Sequence, residues 1–299
     1  MPANPDIDRV IFESPTVTVG LFRCRPWHPR FENTGPINGY LVVFPRTSVC
    51  ITHAGRAPIV TDPNVVMFYN HQQRYRRSKV SDRGDLCEWF AFDPQIVAET
   101  IQRFDPRVAD REAGPFILTH GPSDPQIYLL QRLVVEHLLG SAPDRLFVAE
   151  TMLQVLGRVI DLAYCAHGTL PAGRAGLKDS GQELAHAAQA FLARAFQEQV
   201  SLDAIARAVA VSPYHLCRVF HRQMGMTIHA YLNQIRLRTA LEYVAQGDTD
   251  LATLGVSLGY SSHSHFSQAF RRTFGIAPSE LRRRASSRSL GELRNILIA

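Results

Sequence analysis

Residues 261–275 read SSHSHFSQAFRRTFG, and residues 211–225 read VSPYHLCRVFHRQMG. Set 50 positions apart, they superpose Ser212 on Ser262, Leu216 on Phe266, Phe220 on Phe270, Gly225 on Gly275 and, further on, Tyr231 on Leu281. Upstream the offset falls to 49, with Leu202 on Leu251 and Ile205-Ala206 on Leu254-Gly255, so the second copy holds one extra residue in its turn. In each copy a first helix (Leu202 to Val209; Leu251 to Leu258) presents a small residue, Ala206 or Gly255, where another helix must approach closely. A turn follows at Ala210-Val211 or Gly259-Tyr260, and Gly259 suits a left-handed residue after a helix end. Ser212 and Ser262 are expected N-caps, with Pro213 at the first helical position.

The second helix of each copy is expected to bury Leu216, Val219 and Phe220, or Phe266, Ala269 and Phe270. Its other face carries Tyr214, Cys217, Arg218 and His221, or His263, Ser264, Ser267, Gln268 and Arg271. This is a helix-turn-helix whose second helix fits a major groove. The helix between the copies, Thr227 to Ala245, is about 30 Å long at a rise of 1.5 Å per residue. Successive turns of one DNA face lie about 34 Å apart, so the bridge suits two reading helices in adjacent grooves of double-stranded DNA. Arg218 has the side chain for bidentate contact to guanine, and Gln268 for adenine; the alternative for each is a phosphate or solvent. Arg222, Arg271 and Arg272 suit phosphate oxygens, and the run Arg282-Arg283-Arg284 is either a solvated helix end or a further phosphate contact.

The stretch 183–284 resembles the DNA-binding domain of the AraC/XylS family of transcription regulators. The matching pieces are Leu202-Asp-Ala-Ile-Ala, Ser212-Pro-Tyr-His-Leu-Cys-Arg-Val-Phe, Arg236-Leu-Arg-Thr-Ala-Leu, and Leu258-Gly-Tyr-Ser-Ser-His-Ser-His-Phe-Ser-Gln-Ala-Phe-Arg-Arg-Thr-Phe-Gly-Ile-Ala-Pro. Two positions depart from the family pattern: Gly255 stands where Ala is usual, and Cys217 is less polar than the usual residue. The resemblance implies a homodimeric regulator, either activator or repressor, with a cupin-like effector-binding half-barrel, dimerisation helices and RNA polymerase as a further partner; a cytoplasmic location is expected from the lack of a signal-like or membrane-spanning stretch. It implies neither an enzyme nor a cofactor.

Upstream, short β-branched or aromatic runs at Thr16–Leu21, Tyr40–Phe44, Ser48–Thr52, Ala57–Thr61, Val65–Tyr69 and Leu86–Phe92 are separated by Pro-Arg, Ala-Gly-Arg and Asp-Pro-Asn turns. They predict a small sandwich or barrel. Helices are expected from Pro94 to Phe104, with Asp93 as N-cap, from Asp124 to Leu139, where Asp124-Pro125 repeats that start, and from Asp144 to Tyr164. The apolar stripes of the two longer ones either cover an open sheet or form a dimer interface. The expected fold class is thus α+β: a cupin-like β half-barrel with dimerisation helices, then an all-α domain with two helix-turn-helix units joined by a long helix. The expected division is 1–166 for effector binding and dimerisation (strands 16–93, helices 94–166), a Gly-rich linker at 167–181, a DNA-binding domain at 182–284 and a tail at 285–299.

Charge follows the same division. Of the formal net +5 over 299 residues, residues 1–166 carry −1 and residues 181–284 carry +4, which places the anionic partner at the C-terminal part. Hydrophobic content of 45% and charged content of 20% fit an ordinary globular protein. The opening MPANPDIDRV has no basic stretch followed by an apolar run, and no segment reaches the roughly 18 uncharged apolar residues of a membrane helix, so no membrane association is expected. The five cysteines show no CxxC pair and read as thiols in a reducing compartment. Cys24, His28, His53, His71 and Cys87 are metal-ligand types scattered over the strands, but the His-x-His-plus-Glu pattern of cupin enzymes does not occur, and Cys24 and Cys87 read first as small core residues. Arg74, Tyr75, Arg76, Arg77 and Lys79 read as a charged edge strand or, alternatively, as the wall of an anion pocket. Three alternatives for the N-terminal half stay open: a metal or redox sensor, a protein-binding module, and a cupin-type metalloenzyme fused to a DNA reader.

Overall fold

A computed structural model of the chain describes residues 7–33, 35–111, 114–140, 144–167, 180–246 and 249–286. The expected linker at 167–181 and the tail from 285 fall almost wholly outside these residues. Among the described residues eight strands come first, β1 (Asp8–Glu13), β2 (Val17–Cys24), β3 (Tyr40–Pro45), β4 (Val49–His53), β5 (Ile59–Thr61), β6 (Val65–Tyr69), β7 (Tyr75–Lys79) and β8 (Asp85–Phe92), and a ninth, β9 (His120–Pro122), comes later in the chain. They form two antiparallel sheets, one in the order β1-β2-β8-β3-β6-β9 and one in the order β5-β4-β7. β1 and β9 lie outside the expected runs. β1 carries three charges in six residues, and β9 is only His-Gly-Pro, so neither shows an apolar alternation.

Two-sided burial explains the unbroken apolar runs. Leu41, Val43, Val65, Met67 and Tyr69 face the second sheet, while Val42, Phe44, Val66 and Phe68 join the core beneath the helices. A strand covered on both faces needs apolar side chains at every position rather than at alternate ones.

The helices are α1 (Pro94–Gln102), α2 (Pro125–Gly140), α3 (Arg145–His167), α4 (Ser180–Ala195), α5 (Leu202–Ala208), α6 (Pro213–Met224), α7 (Ile228–Gln246), α8 (Leu251–Ser257), α9 (His263–Phe274) and α10 (Pro278–Ser286). Asp93 and Asp124 accept from the first free amides of α1 and α2, as expected, and Asp144 does the same for α3. α2 and α3 cover the large sheet through Leu129, Leu133, Met152, Leu156 and Ile160. At Gly121 of β9 an added Cβ would lie 2.6 Å from the Ala163 Cβ, so only glycine admits α3 so close. Leu146 (74% exposed) and Leu153 (39%) of α3 are left outside that packing. No described helix is long and apolar enough to cross a membrane.

The duplicated unit folds twice in the same way. The Val211 amide donates to the Ala206 carbonyl and the Tyr260 amide to the Gly255 carbonyl, each at 3.0 Å, so the copies stay in phase through the turn. The extra residue of the second copy is therefore Ser261. The left-handed turn position is Gly259 in the second copy (φ 83°) and Ala210 in the first (φ 56°). Ser212 and Ser262 accept from the His215 and His265 amides at 3.2 and 3.1 Å.

The departure at Gly255 has a cause in its partner. An added Cβ there would lie 3.0 Å from the Phe266 Cβ and 3.2 Å from its Cγ, whereas the equivalent Ala206 belongs to the copy that packs the slimmer Leu216. Gly255→Ala gains helix propensity of about 1 kcal/mol but crowds a fully buried ring, at a cost of about 1–3 kcal/mol. The expected outcome is a lower Tm for Gly255→Ala, with most of the loss recovered when Phe266→Leu is added, read by thermal unfolding of the full chain.

Candidate nucleic-acid interface and ligand cavity

α6 and α9 bury the faces that the sequence assigns to the core: Leu216, Val219 and Phe220 in one, Phe266, Ala269 and Phe270 in the other. Tyr214 (78% exposed), Cys217, Arg218, His221 and Arg222 stand exposed on α6. His263, Ser264, Gln268, Arg271 and Arg272 stand exposed on α9, and Ser267 is half-buried with its hydroxyl 3.3 Å from His263 Nε2. Both helices end at a left-handed glycine, Gly225 and Gly275. α7, 19 residues long, spans about 28 Å between the two units. Each unit thus offers hydrogen-bonding side chains and an arginine-bearing last turn on one open face, the chemistry that meets base edges and phosphates. Arg282 is held by the Thr249 carbonyl at 2.7 Å and Arg284 by Glu280 at 2.7 Å, which favours the helix-end reading of that run.

A cavity of about 400 Å³ lies between the two sheets, within the size range of small-molecule sites. Phe22, Leu41, Val43, Ile51, Met67 and Trp89 give its apolar walls. β7 is an edge strand, paired only to β4, as one of the two sequence readings has it. Arg77, however, turns inward and lines the cavity at 3% exposure. Its Nε lies 2.5 Å from Asp85, its Nη1 donates to the Phe31 carbonyl and its Nη2 to the Tyr75 hydroxyl, both at 2.8 Å. Burial alone lowers its pKa, and the Asp85 carboxylate outweighs that, so the cation persists already neutralised.

The scattered metal-ligand types separate. Cys87 lines the cavity and Cys24 is buried, while burial raises the thiol pKa of both. Such thiols resist forming the thiolate that a metal or oxidant needs. Among the described residues no group of three or more His, Cys, Asp or Glu side chains is placed to hold a metal ion. His53 is buried beside Tyr69 and shares a 2.5 Å contact with Gln73 through Nδ1.

A third set of polar residues escaped the sequence reading. Asp62 and Asn64, in the turn after β5, meet Tyr231 and Arg238 of α7, and Arg46 meets Glu242 of the same helix. Burial lifts the Asp62 carboxyl to about 6, against the opposing Tyr231 hydrogen bond, and burial lowers Arg238 to about 10. Asp62-Pro63-Asn64 reads only as turn chemistry, and a residue 169 positions away is not legible from it.

Residues 205–284 match the family model described as a helix-turn-helix domain. Similar curated proteins include the HTH-type transcriptional regulator GlxA of Rhizobium meliloti, 37% identical over 93 residues that cover 31% of this chain and 29% of that protein. The HTH-type transcriptional activator RhaS of Escherichia fergusonii is 38% identical over 93 residues, 31% of this chain and 34% of that one. The chain thus matches about a third of the length of these relatives. Among solved structures, a transcriptional regulator with an AraC-type DNA-binding domain from Chromobacterium violaceum is 30% identical over 36% of this chain and 96% of that one, with a TM-score of 0.34. ToxT of Vibrio cholerae covers 90% of this chain and 98% of its own at 12% identity, with a TM-score of 0.39.

His53 offers a test of the packing behind the cavity. Desolvation, then the nearby Arg56 charge, lowers its pKa from 6.5 to about 4. The folded state therefore favours the neutral ring: this contribution to stability is present above pH 6.5 and is lost as pH falls toward 4. The expected NMR titration shows His53 ring signals flat from pH 7 down to about 5; a midpoint near the unperturbed value would contradict the packing described.

Proposed function

We propose that this chain, whose C-terminal third carries a helix-turn-helix domain of the AraC type, is a sequence-specific transcription regulator controlled by a small molecule bound in its N-terminal half. The observation that carries the reading is the pair of exposed second helices, α6 and α9, set on one bridging helix. Relatives that share this segment are transcription regulators by name, which favours a regulatory over a catalytic role. In this reading residues 1–166 sense and associate, residues 182–284 read double-stranded DNA, and the place of action is the cytoplasm. The two-sheet half is taken as cupin-like, and its cavity as the effector site. Because Arg77 is already paired with Asp85, that wall favours uncharged ligand groups over a free carboxylate or ammonium.

Within each reading face we assign base contacts first to Arg218 and Gln268, with Tyr214, Cys217, His221, His263, Ser264 and Ser267 beside them, and phosphate contacts to Arg222, Arg271 and Arg272. We assign homodimer contact to α3, where Leu146 and Leu153 stand seven residues apart on one exposed face. Activation through RNA polymerase belongs to the same proposal.

Selection of preferred sites from a random DNA pool tests the reading faces. Arg218→Ala and Gln268→Ala are each expected to relax preference at different base pairs, about one helical turn apart, by about 1–3 kcal/mol if the contact is bidentate. Arg272→Ala is expected to weaken all sequences alike and to reduce the salt slope by about one unit. Loss of preference at the same base pairs in both mutants would overturn the tandem-reader reading.

For association, light scattering at micromolar concentration is expected to give a dimer for the full chain and a folded monomer for Leu146→Glu/Leu153→Glu. A monomeric unaltered chain, with and without DNA, removes the assignment.

A further inference from the structure

Helix α7 joins the two reading units, yet those units do not account for all of its burial. At positions 231, 234, 238 and 242, a single stripe at helical spacing, it carries Tyr, Gln, Arg and Glu. Tyr231 donates its hydroxyl to the Asp62 carboxylate and accepts from Gln189 Nε2 at 2.7 Å. Arg238 donates through Nη1 to Asn64 Oδ1 and, at 2.8 Å, to Gln234 Oε1, and through Nη2 to the Ser123 carbonyl. Glu242 accepts from Arg46 Nε at 3.0 Å, and Arg46 also lies 3.3 Å from Glu88.

The internal repeat supplies a control for the first of these contacts. Leu281 occupies in the second copy the position that Tyr231 occupies in the first, and both are fully buried. The reading unit therefore needs apolar bulk there, which the Tyr231 ring provides edge-on to Phe220 at 5.3 Å. Its hydroxyl adds no apolar bulk; it joins Gln189 of α4 on one side and Asp62 of the N-terminal half on the other.

On the N-terminal side, the residues that hold this group alternate with residues that wall the cavity. Thr61 lines the cavity and Asp62 grips Tyr231; Pro45 lines it and Arg46 grips Glu242; Cys87 lines it and Glu88 pairs with Arg46. Cys87 and Glu88 are successive residues of β8 and point to opposite faces, while Arg46 and Asp62 directly follow the last residues of β3 and β5, so a wall displaced at the cavity shifts its bonded neighbour.

We propose that the polar stripe of α7 is the output of the cavity: the N-terminal half grips the bridging helix through Asp62, Asn64 and Arg46, and a molecule that moves the cavity walls changes this grip. This rests on the reading of the cavity as the effector site and states how that site reports to the DNA-reading units.

The test uses the full chain and hydrogen–deuterium exchange of residues 61–65 and 228–246. Tyr231→Phe removes one hydroxyl, and Asp62→Asn is a second variant of unchanged volume. Each is expected to speed exchange in both segments about tenfold, the size of a lost hydrogen bond to a charged group, with α9 unchanged. Ala91→Phe puts a ring into the cavity from β8 as a stand-in occupant, and Val49→Phe does so from β4. At least one folded intruder is expected to shift exchange in 228–246 severalfold in the unaltered chain and to leave it unshifted once Tyr231→Phe is present, the non-additivity that marks coupling. Additive effects in the double variant, or no shift from any folded intruder, overturn the proposal. DNA affinity of the unaltered chain is measured beside it: absence of DNA binding overturns the regulator reading alone, and the exchange results still judge the grip.

Discussion

A guanidinium cut off from solvent must be surrounded by acceptors, and Arg238 draws them from three parts of the chain. Gln234 lies one turn back on its own helix, Asn64 lies 174 residues upstream, and the Ser123 carbonyl lies 115 residues upstream. Tyr128 adds a ring 5.5 Å from the charge. Removing one of these neutral acceptors from such a buried cation costs about 1.5–3 kcal/mol, more than an exposed pair contributes. The contact therefore fixes α7 against the N-terminal half. Because α7 also packs on both reading units, through Tyr231 on Phe220 and Tyr260 on Asn233, it sets the position of α6 and α9 relative to the sheets as well.

That arrangement divides what the sequence reveals from what it hides. The helix-turn-helix units were legible because their chemistry is local. A cap lies three residues from the amide it accepts, a left-handed glycine follows the helix it ends, and the repeat exposes both twice over. Strands β3 and β6 were legible as apolar runs, though not as strands buried on two faces. The residues that hold α7 were not legible, because each depends on a partner far along the chain. Arg77 sits in a run of charges that reads either as an edge strand or as a pocket wall; only folding brings it to Asp85 and beneath the Phe22 ring at 4.7 Å. Asp62 accepts from the Asn64 amide at 2.8 Å, as a turn residue should, and its second oxygen has a separate task.

The same distinction explains Gly255. Taken alone, glycine in a helix is a small loss of propensity. Taken with Phe266 it is a volume exchange: one copy pairs Ala206 with Leu216, the other Gly255 with Phe266, and close packing allows a larger ring only where a methyl is given up. The two copies thus reach one backbone arrangement by different core solutions, as the matching turn hydrogen bonds show.

On the outer faces the copies diverge in a patterned way. At matching positions Tyr214 aligns with Ser264, Cys217 with Ser267 and Arg218 with Gln268, while Arg222 and Arg272 are the same residue. A position kept identical in both copies suits a phosphate, which presents the same anion in every groove. Positions that differ suit base edges, whose donors and acceptors change from pair to pair. Under the proposed assignment, Arg218 and Gln268 prefer different bases at the matching place. On that proposal one chain distinguishes its two grooves and binds in a fixed direction, and any symmetry in a longer binding site comes from a second chain.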